Sequence, residues 1–226
     1  MSSWMQIKFQ DSASPITEKM IMFHDHSMMI IMLITSMVMY IMMTIIMNKL
    51  VNRNLLEAQL IEIIWTSIPM ILLLIIALPS LNILYMMEES MKPMLSIKAM
   101  GHQWFWSYEY SDYKNIEFDS YMKNNKELMD NEFRLLEVDN RTIIPLNTKT
   151  RMMISSYDVI HSWTVPALGV KIDAIPGRIN QGNLTIMRTG LFFGQCSEIC
   201  GANHSFMPIM IESIEMKSFI KWIMNL

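Results

Sequence analysis

The sequence predicts a pair of membrane-spanning helices followed by an all-β sandwich or barrel. Three observations carry this expectation. Two long apolar runs, Met28 to Met47 and approximately Ile61 to Tyr85, stand near the start of the chain. Charge is divided unevenly: of 18 Lys/Arg and 21 Asp/Glu, only four and five precede Glu88, which leaves 14 and 16 for the rest. From Leu95 onward, short segments of alternating apolar and polar residues, separated by turn residues, replace the long runs.

Composition sets the outer bounds. A hydrophobic fraction of 52%, 17% charged residues and a mean hydropathy of +0.25 place the chain among membrane proteins. A net charge of -3 without a basic cluster argues against nucleic acid as a partner. The expected division is a polar segment over 1–27, a helix hairpin over 28–87 and a water-soluble domain over 88–226.

Residues 1–27 lack the basic region, apolar core and small-residue cleavage pattern of a secretory signal. The run from Met28 to Met47 has 20 residues, and at roughly 1.5 Å each it crosses a hydrocarbon layer of roughly 30 Å. Asn48 to Leu60 is a polar connection with Lys49, Arg53 and Glu57, and the two positive charges favour the inner side of the membrane. The second run contains Pro69 and Pro79, which membrane helices tolerate when neighbours satisfy the freed carbonyls. Glu62 stands near its start, either among headgroups or as a proton-handling carboxyl. Two spans return the chain to its starting side, so residues 1–27 and the soluble domain lie together, opposite the connection.

In the soluble part, Met94 to Met100 leads into Gly101 to Tyr110, where aromatic residues alternate with smaller or polar ones as on a one-sided sheet. Further strand candidates are Phe133 to Val138, Thr142 to Pro145, Arg151 to Ser155, Val170 to Ala174, Gly182 to Met187 and Met207 to Ile214. The polar stretch 112–132 reads as an excursion from the sheet, and Ser213 to Trp222 as a short amphipathic helix. Sequons at Asn140, Asn183 and Asn203 are short matches, and a glycan on Asn203 would obstruct His204, so no glycosylation is expected.

The chemistry concentrates in Cys196 to Met207, which holds both cysteines, a histidine and a methionine. Two thiolates, an imidazole and a thioether are soft ligands suited to copper, and His161 offers a second nitrogen. The crowding of these side chains into one loop matches two neighbouring ions better than one. Three other readings stand beside this one. The cysteines can pair as a disulfide, although so short a loop yields little stabilisation. Two Cys and two His complete a tetrahedral zinc set, although the C-x3-C-x3-H spacing departs from the usual knuckle. His161, set among Ile160, Trp163 and Val165, also suits a hydrogen-bonded histidine on a half-buried strand.

The loop GQCSEICGANHSFMP resembles the binuclear copper loop of subunit 2 of the mitochondrial haem-copper cytochrome c oxidases. The resemblance extends through IEIIWTSIPMILLLIIALPSLNILYMME, GHQWFWSYEY and SSYDVIHSWTVPALGVKIDAIPGRINQ, and so covers nearly the whole chain. It implies a cupredoxin-like Greek-key fold for the β domain. It implies side-chain ligands for two copper ions from His161, Cys196, Cys200, His204 and Met207. Glu198 is implied to give copper its backbone carbonyl and to give its carboxylate to a magnesium ion shared with subunit 1.

Trp104 matches the tryptophan at which an electron arrives from cytochrome c, and Glu62 matches a glutamate at the entrance of a proton path in subunit 1. Phe105, Phe192 and Phe193 stand where relatives often carry tyrosine, which removes hydroxyl groups but no copper ligand. Glu109, Asp112, Asp139 and Asp158 are docking candidates for a basic cytochrome c, and Lys114 replaces an acid found in many relatives. Between Glu109 and Asp139 nine acids face four bases in the count. The implied partners are cytochrome c, subunit 1, other oxidase subunits and the lipid bilayer. The implied location is the mitochondrial inner membrane, with the soluble domain in the intermembrane space. A membrane-anchored copper chaperone and a disulfide-bearing accessory subunit are the competing function classes.

Overall fold

The computed structural model describes residues 4–54, 56–88, 92–113 and 116–225. It divides into a helical unit, Lys19–Met86, and a β unit formed by Met1–Glu18 and Met87–Leu226. Lys114 lies outside the described residues.

The helical unit follows from the two apolar runs. Helix α1 spans Pro15–Met47 and α2 spans Gln59–Glu88. At about 1.5 Å per residue both exceed the roughly 30 Å of a hydrocarbon core. Their apolar side chains, among them Ile31, Leu33, Ile45, Ile63, Leu73 and Leu78, are exposed, as expected of helices whose solvent is lipid. Pro69 and Pro79 lie inside α2 without ending it.

Helix α1 starts well before Met28, where the apolar run begins. Ser14 and Pro15 explain the early start. The Ser14 hydroxyl accepts the Thr17 N–H at 3.2 Å, and Pro15 brings a helical φ to the first position, where no amide is needed. Charged residues from Glu18 to His26 are compatible with helix and lie within α1.

In the β unit the strands are β1 (Leu95–His102), β2 (Phe105–Tyr110), β3 (Glu117–Ser120), β4 (Thr142–Pro145), β5 (Thr150–Ser156), β6 (His161–Val165), β7 (Val170–Ala174), β8 (Asn180–Leu184), β9 (Gly190–Gln195) and β10 (Pro208–Ile214). A short helix, α3 (Met216–Met224), closes the chain. One sheet runs β3-β2-β1-β5-β8, a second β4-β10-β9, and β6 pairs with β7. Most pairs are antiparallel, while β1 with β5 and β10 with β4 run parallel, so these neighbours are joined by crossovers rather than hairpins.

Alternation fills the interior. Leu95, Ile97 and Ala99 of β1 and Trp106, Tyr108 and Tyr110 of β2 point inward with the period-two spacing of a half-buried strand. They meet Met152, Ile154, Trp163, Ile209 and Ile211 in one core. Two of the buried polar tips are paired: Trp163 Nε1 donates to the Tyr108 hydroxyl at 3.2 Å, and the Tyr110 hydroxyl donates to the Ile143 carbonyl at 2.7 Å. Burial holds both phenols in the neutral form, pushing Tyr108 up to about 12 and Tyr110 higher still.

The segment before α1 is part of this unit. Ala13 donates to the Ala167 carbonyl at 2.9 Å and accepts from Met187 at 2.8 Å. Ser14 and Thr17 donate to the carbonyls of Leu168 and Ala167.

Three local expectations need correction. Phe133 to Val138 forms turns instead of a strand: Leu135 takes φ 67°, the amides of Leu136 and Glu137 return to the Phe133 carbonyl, and only Val138 bridges to Met122. The polar stretch after Ser111 contains β3, paired to β2 through Phe118 opposite Tyr108. The strand weighed around His161 is present as β6, but it is buried on both faces instead of half-buried, and β9 was not anticipated because glycine interrupts its pattern.

Candidate metal centre

Three pieces of chain converge. His161 opens β6, Cys196 to Met207 connects β9 to β10, and Gln103 and Trp104 form the turn between β1 and β2, joined by a cis peptide. Gly101 permits the first approach, since a Cβ there would lie 2.8 Å from His161 Cδ2. Gly201 permits the second: its φ is 132°, and a Cβ would lie 3.1 Å from Trp104 Cζ2.

The sulfurs of Cys196 and Cys200 lie 4.0 Å apart. Both cysteines are free, which sets aside the disulfide, whose S–S bond is roughly 2.05 Å. His161 Nδ1 is 3.8 Å from Cys196 Sγ, and His204 Nδ1 is 3.5 Å from Cys200 Sγ. The Met207 thioether is 3.6 Å from Cys200 Sγ, and the Glu198 carbonyl is 3.4 Å from Cys196 Sγ. His161, Cys196, Cys200 and Met207 are buried, with His161 at 0% exposure and Met207 at 1%. His204 is half-buried in a short 3-10 turn, and the Glu198 side chain faces solvent.

The donor chemistry suits soft metal. Among the described residues, His161, Cys196 and Cys200 form the group of three His, Cys, Asp or Glu residues whose ligand atoms all lie within 4.8 Å of one another. A single tetrahedral zinc gathers four such atoms around one point, whereas here the second imidazole sits beside Cys200 outside that trio, with a thioether and a carbonyl left over. Two thiols with four further donors about them would suit two soft ions better than one.

Electrostatics separates the two thiols. Burial pushes Cys196 up, but its hydrogen bonds with His161 and with the backbone at Glu198 and Ser162 outweigh this and bring it down to about 7. Burial and the neighbouring Cys196 charge push Cys200 up to about 12. A metal cation held by both sulfurs would remove that conflict, because coordination takes the thiolate form of each.

Asp158 prepares His161. Its Oδ1 lies 2.9 Å from His161 Nε2, so an Nε2–H directed there leaves the Nδ1 lone pair facing the sulfur. Burial opposes the charge of Asp158, yet hydrogen bonds from His161, Val159 and Gln103 hold its carboxyl below the usual range. Burial also opposes protonation of His161, but Cys196 and Asp158 together hold its pKa above the ordinary value.

Of the other expected residues, Trp104 adjoins the site and the rest lie away from it. Trp104 packs its indole against the Cys200–Gly201 side of the loop, with Nε1 buried and without a hydrogen-bond partner among the described residues. Glu62 lies in the first turn of α2, where the helix dipole favours an acid. Glu109 pairs with Lys98 at 3.1 Å, Asp112 accepts the Ser96 amide at 2.6 Å, and Asp139 accepts the Tyr121 amide at 2.8 Å. A row of stacked rings runs Tyr157, His102, Phe105, Tyr121, with centroids 5.4, 4.5 and 4.3 Å apart. Stacking is what Phe105 contributes without a hydroxyl. Buried Phe192 lies beneath the Arg188 guanidinium, and Phe193 meets Phe133 edge-on.

Comparison with known proteins agrees with this architecture. The family model described as Cytochrome C oxidase subunit II, transmembrane domain, matches residues 2–83, and that described as Cytochrome C oxidase subunit II, periplasmic domain, matches residues 95–214. The chain is 60% identical over 223 residues to cytochrome c oxidase subunit 2 of Oncopeltus fasciatus, covering 99% of this chain and 97% of that one. It is 59% identical over 223 residues to the subunit 2 of Drosophila melanogaster, covering 99% and 98%. Among solved structures it resembles the periplasmic domain of subunit II of cytochrome oxidase from Bradyrhizobium japonicum, with a TM-score of 0.56 and 47% identity over 61% of this chain and 96% of that one.

Proposed function

Because the chain belongs to the cytochrome c oxidase subunit II family, we propose that its β unit holds a binuclear copper centre that takes single electrons from cytochrome c and relays them to the haem and copper centres of subunit 1. The observation that carries this reading is the pair of buried thiols 4.0 Å apart with four further donors, two imidazoles, a thioether and a carbonyl, around them. When bound, the copper pair supplies a one-electron carrier; oxygen reduction and coupled proton pumping take place in the assembled oxidase. The protein holds His161, Cys196, Cys200, His204, Met207 and the Glu198 carbonyl in a largely buried cage whose rigidity limits rearrangement when charge changes. Trp104, whose indole lies against the loop, serves in this reading as the point where the electron arrives from cytochrome c. Asp139 and Asp158 stand with Asp119 close enough to bias the protonation of Tyr121 and His102 in the ring row, so this face joins acidity to an aromatic surface. Glu109 and Asp112 extend the acidic docking field.

Rapid mixing of reduced cytochrome c with the assembled oxidase tests the relay. The copper absorbance should bleach before haem reduction is complete, and higher salt should slow association by screening the acidic face. Haem reduction that outruns the copper signal at full copper loading would remove the relay role.

Glu198 divides its two oxygen functions. Its carbonyl faces Cys196 while its carboxylate is exposed and available to a hard cation, here magnesium shared with subunit 1. Glu198→Gln should keep two copper ions, since the carbonyl survives, and weaken magnesium occupancy of the assembled oxidase. Equal magnesium affinity in both proteins would reject the carboxylate ligand.

In this reading the 48–60 connection lies in the mitochondrial matrix and the β unit in the intermembrane space, and Lys49 and Arg53 support the inner location of the connection. Glu62, in the first turn of α2, is assigned in this reading to the entrance of the proton path in subunit 1; an unchanged proton-uptake rate in Glu62→Gln would withdraw that role. Protease added to mitoplasts should digest the β unit and spare the connection. The reverse pattern would invert the topology.

A further inference from the structure

The side chains that meet the metal are not the only parts of the site held in place by long-range bonds. Gln103, in the turn between β1 and β2, makes two of them. Its backbone amide donates to Asp158 Oδ2 at 2.7 Å, and its side-chain amide Nε2 donates to the Cys200 carbonyl at 2.7 Å. The first bond reaches 55 residues along the chain and the second 97. One residue therefore touches both halves of the donor set.

We propose that Gln103 is a positioning residue for the copper site, tying the turn that orients His161 to the loop that carries Cys200. The inference rests on the copper reading above and deepens it. Along the first arm, Asp158 accepts Gln103 N through one oxygen and presents the other to His161 Nε2 at 2.9 Å and Val159 N at 2.6 Å. Ser156 adds to the same turn through its hydroxyl, which donates to the Val159 carbonyl. The carboxylate cannot swing away without breaking these bonds, so Gln103 N helps fix the plane of the imidazole.

Along the second arm, the amide holds the peptide after Cys200, and the direction of that peptide sets the direction of the Cys200 side chain. The approach is close by design of the chain: a Cβ at Gly201 would lie 3.1 Å from Gln103 Nε2. A glutamine on an exposed turn otherwise keeps several freely exchanging rotamers, and holding it in one costs conformational entropy that the bond to Cys200 must offset. The result is that the spacing between His161 and Cys200 is set by a residue that binds no metal, through its backbone amide on one side and its side chain on the other.

The test compares the assembled wild-type oxidase with Gln103→Ala, Gln103→Leu, Asp158→Asn and the Gln103→Ala/Asp158→Asn pair. Two readouts are used: the rate of copper loss to a chelator, and the electron paramagnetic resonance line shape of the copper centre. Each single change should speed copper loss about tenfold, the size expected for an outer-shell partner, and should alter the line shape. The paired change should cost less than the product of its parts, because both act on one connection. Wild-type loss rates and line shape in both Gln103 variants would overturn the proposal, and so would strictly multiplicative effects in the pair. Failure of both Gln103 variants to assemble would also overturn it, since the residue would then serve general stability. Absence of copper from the wild-type protein would instead sink the copper reading on which the proposal stands.

Discussion

Replacing Cys196 by serine should abolish the paired copper centre and leave a folded β unit. Cys196 is 6% exposed, with its sulfur beside Cys200, His161 and the Glu198 carbonyl. A serine oxygen is nearly the same size, so packing survives. It is a poor thiolate substitute, however, because copper selects soft sulfur and the hydroxyl does not ionise in this range. Copper should fall below two ions per chain, and electron uptake from cytochrome c should drop by more than the roughly 10- to 100-fold that follows loss of an outer partner. Metal analysis, circular dichroism and rapid-mixing kinetics on the same preparation check the three parts together. A folded Cys196→Ser protein with two coppers and an unchanged spectrum would show that this sulfur is not a bridge.

Trp104→Phe should separate docking from electron transfer. The indole reaches the loop through Cζ2 and Nε1, the atoms nearest the position of a Gly201 Cβ. Phenylalanine keeps an aromatic ring but is too short to fill that contact. Because Nε1 has no hydrogen-bond partner among the described residues, the substitution orphans no acceptor, and its structural cost is confined to a small cavity. Association and its salt dependence should therefore be retained. The electron-transfer step should slow by at least about tenfold, equivalent to roughly 1.4 kcal/mol of added barrier. Unchanged transfer at matched docking and copper content would take Trp104 off the path.

What the sequence made legible depended on how local each signal was. The apolar runs disclosed both helices, since length and composition alone decide whether a segment can sit in lipid. They placed the start of α1 too late, because hydropathy ignores the Ser14-Pro15 start signal and treats Glu18 to His26 as loop. Alternation found β1, β2 and the Thr142–Pro145 strand, and it failed at Phe133 to Val138, where an apolar run folds into turns. Cys196, Cys200, His204 and Met207 were visible as a cluster because the loop brings them together by sequence alone. His161 is 35 residues from Cys196 and was ambiguous until β6 placed it against the sulfur. Gln103 carried no signal at all: its importance lies in two bonds across the fold, and neither partner is near it in sequence.

The central claim is that two sulfurs and their four companions hold a pair of copper ions. The most direct measurement is metal quantitation with electron paramagnetic resonance on the copper-loaded β unit, run in parallel on the detergent-solubilised full chain. The account predicts two copper ions per chain and a signal from one unpaired electron shared between them. One tightly held zinc or copper ion per chain, or a metal-free protein with Cys196 oxidised to Cys200, would contradict it.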